Sequence, residues 1–421
     1  MSDTISGGAH VQRGLVLMEQ GRFSDAANFF RQALAQNPRD AFALNRLAIC
    51  QLQLPAEQGQ ALDTIHRALE CEPNEPLNHA VKAYVLGARN RSREALDAAR
   101  LAVTLDPDSV FALNAQAYAH CLLEQWADAE RVARRALSLD ADNSIAANHL
   151  AHALRLQNKM AENAGQIAGM LARDPEDAAT HCNAGWAALQ RGERRVAEQH
   201  FFEALRLDPE MEPARAGLLN AFRSRSPLYR AYLAYCFKMS RMGKNARWGV
   251  ILGLYFGVKF ARVFLKGPAG IAIGLLYLVF VLWVWVAKGV GNFILLFDRF
   301  ARHALRRNEK IEAFFVGGSI CLGIALLLAS FAIANSAPFF LAVGIGCSAV
   351  PFSMTFTNPS RVGSIIFGFA GGAALLGGIA GAISALYPNV LSENTAMVFW
   401  GGGILVAMLT TWLGNISALR H

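Results

Sequence analysis

Small residues return at intervals of about 34 positions through the first 210 residues, and this recurrence restricts the fold more than any other feature of the chain. Gly14, Gly21, Ala26, Phe30, Ala33 and Pro38 fill the first interval; Gly185, Gly192, Ala197, Phe201, Ala204 and Pro209 fill the last with the same internal spacing. Between them stand Leu47, Ala61, Ala68 and Pro73, then Ala83, Ala95, Ala102 and Pro107. Ala117, Trp126, Ala129, Ala133 and Ala136 follow, with Ala141 where the proline would fall. The second interval carries an extra residue near Pro55; the fifth, about 144–177, keeps Leu150, Ala151 and Pro175 but has Asn163 where alanine is expected. Such a pattern has a physical cause. Small side chains are needed where paired helices approach closely, glycine permits the sharp turn between them, and proline cannot continue the second helix and so closes each unit. Repetition at this period predicts a stack of helical pairs.

These positions resemble those of the tetratricopeptide repeat over roughly residues 7–210, about six units, and Met211–Phe222 looks like a terminal helix covering the last apolar face. The resemblance implies an α-solenoid, here taken as residues 1–222, whose first helices line a concave groove for a protein or peptide. The groove positions would be Asn45, Tyr84, Asn114, Tyr118, Asn148, His152, Asn183 and Trp186. An asparagine amide can pair with both the N–H and C=O of an extended ligand backbone, and aromatic rings supply buried contact area. The same asparagines could instead cap or bridge neighbouring helices, with the aromatics packing the stack. No repeated Lys/Arg pattern suggests a clamp for a ligand carboxylate.

Chemistry has little foothold in the chain. His149 and His152 lie one helical turn apart, with His120 in the neighbouring repeat, but no carboxylate or thiolate pattern completes a metal site, and ordinary polar groove residues are the better reading. There is no phosphate-binding glycine loop, nucleophile elbow or His-Glu-x-x-His motif. A non-catalytic protein without a cofactor is expected. The seven cysteines are scattered and form no Cys-x-x-Cys pair, so they read as small apolar residues in a reducing compartment. Met1 to His10 lacks the basic flank and apolar core of a secretory signal, which places the solenoid in the cytoplasm.

Charge divides the chain. Residues 1–222 carry 22 basic and 28 acidic residues, whereas 223–421 carry 18 and 4. From Pro213 through Phe297 there is no Asp or Glu against twelve Lys or Arg. This positive charge lies beside apolar sequence, which favours anionic lipid headgroups over nucleic acid as partner. Residues 223–247 are expected to form a basic connector at the membrane surface. In it Arg230, Lys238 and Arg241 share one side of a helix while Tyr229, Tyr232, Cys236 and Met239 occupy another, and Lys244 and Arg247 follow. A soluble connector packed on the last repeat is the competing reading.

Residues 248–297 read as a helical hairpin in the membrane. Gly249, Gly253, Gly257 and Ala261 form a small-residue ridge, and Lys259, Arg262 and Lys266 form a basic stripe near its end, where they can snorkel. After Gly267-Pro268, the run Ala269 to Ala287 has spanning length. Residues 298–310 form a basic loop. A four-helix transmembrane region, 311–421, follows as apolar runs at about 313–333, 338–356, 362–386 and 396–414. Pro351 should kink the second run or sit near its end. The glycines of the last two, from Gly368 to Gly403, imply close helix contact and a route to homo-oligomers.

If the hairpin crosses twice, or dips in and returns, the basic loop, Arg361 and the tail with Arg420 lie on the cytoplasmic side, in keeping with the positive-inside rule. Six spans, or a re-entrant hairpin plus four, are therefore expected, with both termini cytoplasmic. The membrane half resembles uncharacterised regions appended to bacterial repeat proteins, which implies the bacterial inner membrane. The expected fold is all-α, a solenoid followed by a helical transmembrane bundle. The expected function is that of a membrane-anchored scaffold or adaptor; the alternative is a transport or channel component regulated by its solenoid. No Asp, Glu, Lys, Arg or His lies between Ala313 and Arg361 or between Val362 and Leu391, which weighs against proton- or ion-coupled carriage.

Overall fold

The computed structural model describes residues 2–413 apart from 265, 266, 334, 357 and 359, with backbone alone at 2–7, 244, 245, 262–264, 275, 411 and 412. Every regular element among the described residues is an α-helix. The chain divides into two compact units, residues 1–187 with 206–209, and residues 188–205 with 210–421.

The first unit is a run of helical pairs. They are α1 (Ser2–Glu19) with α2 (Phe23–Gln36), α3 (Ala41–Gln53) with α4 (Ala61–Cys71), α5 (Pro76–Ala88) with α6 (Ser92–Leu105), α7 (Val110–Leu122) with α8 (Trp126–Leu139), and α9 (Ser144–Leu156) with α10 (Met160–Arg173). A sixth pair, α11 (Ala178–Arg191) and α12 (Arg194–Leu207), runs across the boundary between the units. Side-chain oxygens start the first helices: Asp40, Ser109 and Asn143 accept from the backbone N–H three residues on, at 3.0, 3.3 and 2.9 Å. Each satisfies one of the donors that a helix start leaves open.

The turn between paired helices needs one left-handed residue, and Gly21 and Gly192 supply it at φ of 72° and 83°. Asn90, Glu124 and Asn158 do the same at 59°, 58° and 64°, so the turn keeps its 34-residue step to Gly192 even where glycine is absent. The fifth repeat is therefore in register despite Asn163. Ala26, Ala61, Ala95, Ala129 and Ala197, one per second helix, are fully buried. Gly14 has its own reason: a Cβ there would stand 2.7 Å from the Phe30 ring.

The second unit begins in repeat six and continues through α13 (Glu212–Arg223), α14 (Pro227–Ser240), α15 (Lys244–Phe264), α16 (Pro268–Leu296), α17 (Ala301–Ala304), α18 (Arg307–Ala332), α19 (Ala337–Thr355), α20 (Arg361–Leu386) and α21 (Glu393–Leu413). Four of these, α16, α18, α19 and α20, are long and apolar enough to cross a membrane. The other two expected spans, 248–265 and 396–414, fall on α15 and α21, each of which runs into residues outside those described. The basic stretch 298–310 is not all loop: α18 already starts at Arg307, so Glu309, Lys310 and Glu312 lie on a helix. Pro351 sits in the last turn and a half of α19.

Glycine draws these helices together selectively. A Cβ on Gly344 of α19 would lie 2.6 Å from the Gly378 Cα of α20, and one on Gly403 of α21 would lie 2.6 Å from the Ala373 carbonyl. At such sites any side chain would push the helices apart. Gly377 and Gly381 are similarly closed in, but Gly372, Gly401 and Gly402 face open space. So do Gly249, Gly253 and Gly257, so the ridge on α15 receives no helix within the described chain.

Candidate functional site

The eight residues expected to line the groove separate into two sets. Asn45 and Asn114 are buried, 1% and 2% exposed, and cannot reach a ligand. Their amide nitrogens donate to Asn78 Oδ1 at 2.8 Å and Asn143 Oδ1 at 3.0 Å in the next repeat. Asn148 continues the series, donating to Asp177 Oδ2 at 3.0 Å and accepting from Asn183 Nδ2 at 2.8 Å. These amides bridge neighbouring first helices, which accounts for their return at each repeat. A backbone donor or acceptor of a ligand could meet only the half-exposed members, Asn148 and Asn183.

The aromatic positions are half-buried, in a strip on successive first helices, and those from Tyr84 to His149 are in ring contact. The Tyr84 ring lies 5.6 Å from Phe111 and 5.3 Å from Tyr118, whose ring is 6.4 Å from His149. Tyr118 rests on Gly87, where a Cβ would come within 2.5 Å of the ring. The glycine is thus the seat of the tyrosine. His152 packs against Trp126 at 5.5 Å, and the Arg155 guanidinium lies 5.9 Å over Trp186. Burial lowers His149 to about 4; burial, then the nearby Arg155 and His149, lower His152 to about 3. Both imidazoles are neutral at neutral pH, so the strip is an uncharged aromatic surface. Phe111 belongs to it although the sequence reading leaves it out of the groove, and His149, which that reading takes as an ordinary polar groove residue, belongs to it too. The signal for Phe111 is its place seven residues before Tyr118 on α7, two helical turns along the same side.

Within the second unit a polar joint ties α13 and α14 to α16 and α18. Arg223, 5% exposed, donates through Nε and Nη2 to Asn292 Oδ1 at 2.9 and 2.6 Å and through Nη1 to Asn220 Oδ1 at 3.2 Å. Asn292 Nδ2 in turn donates to Glu312 at 3.4 Å, and the Tyr229 hydroxyl donates to Asn220 Oδ1 at 2.8 Å. Alongside, Arg215 donates to Glu309 at 2.8 Å and to the Ala304 carbonyl at 3.2 Å, while Arg306 pairs with Glu212. Arg225 bridges Asp298 at 2.6 Å and Glu198 at 3.6 Å. An uncompensated guanidinium or carboxylate in such a place would be strongly unfavourable, and each here has a partner.

The connector α14 packs Leu233 and Phe237 toward Leu189–Arg194, with Arg230 on the same cavity wall, and Arg241 donates to the Gln190 amide oxygen. Its other side meets α16 through a Tyr235–Phe280 edge contact at 5.4 Å. Arg230 and Lys238 remain exposed, Arg247 donates to the Met242 carbonyl at 3.0 Å, and Lys259 lies 5.6 Å over the Tyr255 ring. The side chains of Lys244 and Arg262, and all of Lys266, are outside the described residues.

Residues 11–76, the first two helical pairs, match a family model described as tetratricopeptide repeat. No curated protein matches the chain. Among solved structures, similar ones include a thermophilic TPR protein of Thermus thermophilus, at 24% identity over 44% of this chain and 99% of that one, TM-score 0.41. PilF of Pseudomonas aeruginosa is 18% identical over 54% of this chain and all (100%) of its own, TM-score 0.41. YrrB, described as a TPR protein with an unusual peptide-binding site, is 22% identical over 44% of this chain and 95% of its own, TM-score 0.32. With the matched residues, the helical pairs and the 34-residue turn register together, the amino-terminal half of this all-α chain is a solenoid of tetratricopeptide repeats, and a bundle of apolar helices follows it.

Proposed function

We propose that the chain is a non-catalytic scaffold held in a membrane by its apolar helices, with the tetratricopeptide solenoid on the cytoplasmic side as a docking surface for a protein or peptide. The observation that carries the docking role is the half-exposed strip of Tyr84, Phe111, Tyr118, His152 and Trp186, with Asn148 and Asn183 beside it. Rigid aromatic side chains that keep part of their surface in water are the usual anchors of an interface. Membrane attachment is supported by the four long apolar helices. The cytoplasmic orientation is supported by the basic residues between α16 and α18.

The full chain is the right reagent. A cut after Phe222 would strip α12 and α13 from partners in the second unit, where Arg215 meets Glu309 and Glu198 meets Arg225. Partners recovered with detergent-extracted full-length protein should be lost, by roughly thirtyfold in affinity, from Tyr118→Ala and Trp186→Ala variants. Undiminished binding of every partner by both variants would exclude the strip as the site. A reporter fused after Arg307 that read as extracytoplasmic would overturn the orientation. Solute movement by reconstituted protein would favour the transport alternative instead.

A further inference from the structure

The second unit holds a basic cavity that the scaffold role leaves unused. It measures 540 Å³ and is lined by Arg215 of α13, Lys288 of α16, Arg306, Arg307 and Asn308 at the start of α18, and Asn358 ahead of α20. Glu309 is the carboxylate on its wall, and Phe356 closes its apolar end. Arg215 and Arg306 are matched by Glu309 and Glu212. Lys288 and Arg307 make no ion pair within 4.0 Å among the described residues. Four cations around Glu309, Glu212 and Glu312, the last also facing Lys288, leave a positive excess in a concave site.

Its depth follows from the sequence. The apolar run of α16 ends at Ala287, immediately before Lys288, and that of α18 begins at Ala313, just after Glu309 and Glu312. α19 ends at Thr355 and α20 starts at Arg361. Three helix ends, the start of α18, the end of α19 and the start of α20, therefore meet beside Lys288 of α16 at the level where hydrocarbon gives way to polar headgroups. Guanidinium and ammonium groups converging there fit the oxygens of a phosphate, arginine by its donor fork and lysine as a point charge.

We propose that this cavity binds a phosphate-bearing anion, placed so that Lys288 and Arg307 take the charge while Arg215 links the ligand to α13. Two sources share that chemistry, the headgroup of an anionic phospholipid and a soluble phosphate. The inference rests on the reading of α16 and α18–α20 as membrane helices.

Full-length protein in detergent, titrated with phosphatidylglycerol, phosphatidylcholine or inorganic phosphate and followed by native mass spectrometry, tests it. Wild type should retain phosphatidylglycerol over phosphatidylcholine, and a Lys288→Gln/Arg307→Gln variant should retain it roughly thirtyfold less, at about fivefold for each side chain removed. Arg89→Gln/Arg100→Gln removes two exposed cations of the solenoid and should leave retention unchanged. Phosphate that binds alone, and is lost in the same variant, would assign the site to the soluble ligand. Equal lipid retention by the Lys288/Arg307 variant and wild type, or equal loss in both variant pairs, would overturn the proposal. Resistance to alkaline extraction, measured on the same proteins, reports the membrane reading separately, because loss of the cavity charge leaves the apolar helices intact.

Discussion

The solenoid and the joint below α13 use the same side-chain chemistry over different reaches of sequence. In the solenoid, amide bonds between repeats join residues 29 to 35 positions apart, as in Asn45–Asn78, Asn114–Asn143 and Asn183–Asn148. In the second unit the partners are 69 and 94 positions apart, as in Arg223–Asn292 and Arg215–Glu309. Because a solenoid repeat contacts its neighbours only, loss of one bridge is absorbed locally. The joint gathers four helices around a few buried groups, so one missing partner leaves several others without compensation. Polar groups therefore tune the first region and hold the second together.

Arg223 gives the largest expected effect. Replacing it with Met keeps much of the apolar stem but leaves Asn292 Oδ1 and the Glu312 carboxylate buried beside it. A destabilisation of about 3 kcal/mol is expected. It should appear as a lowered unfolding midpoint of the full chain in detergent. Arg225→Ala, which removes an exposed bridge to Asp298, should move the midpoint by at most about 0.5 kcal/mol. If the two substitutions were equally mild, the joint would be no more than a set of surface pairs.

Asn163 tests the same comparison with the opposite sign. It occupies the fully buried alanine position of the fifth repeat, and neither its amide nitrogen nor its oxygen has a partner among the described residues. Asn163→Ala should raise the stability of the chain by about 2 kcal/mol, the desolvation penalty relieved by removing the amide. A lowered midpoint would mean that the amide has a role the alanine repeats lack.

Legibility followed from sequence separation. The paired helices, the turn register and the terminal helix could be read because each repeat restates the same local demand, and Gly14 against Phe30 shows that demand directly. The asparagines were legible as a series but not in their use. Recurrence cannot distinguish an amide turned to a ligand from one turned to the next repeat, and burial of Asn45 and Asn114 decides it. The joint was invisible for a different reason. Arg215 and Arg223 stood out as basic residues in a stretch without acids, but Asn292, Glu309 and Glu312, which complete the joint, come from beyond that stretch or look ordinary within it. The ridge of α15 shows the converse: glycine spacing announced a contact that no described helix makes.

A smaller effect than those of Arg223 and Asn163 lies between two repeats and responds to pH. Glu130 of α8 accepts from Lys159 at 2.7 Å, Arg134 at 2.9 Å and Gln157 at 2.6 Å, so the fourth and fifth repeats meet on one carboxylate. Burial pushes its pKa up, but the hydrogen bonds from Lys159, Arg134 and Gln157 outweigh it and the net shift is downward. A carboxylate whose pKa is lower folded than unfolded stabilises the fold above the ordinary glutamate range. That contribution is lost as pH falls through the lowered value. Lys159 and Arg134 are themselves 42% and 44% exposed, so screening holds the contribution to about 1 kcal/mol. Glu130→Gln should lower the midpoint by that amount at neutral pH and flatten its dependence as pH falls below the ordinary glutamate range. An unchanged acid limb in the Gln variant would show that the interface between these repeats rests on its alanines and not on the carboxylate.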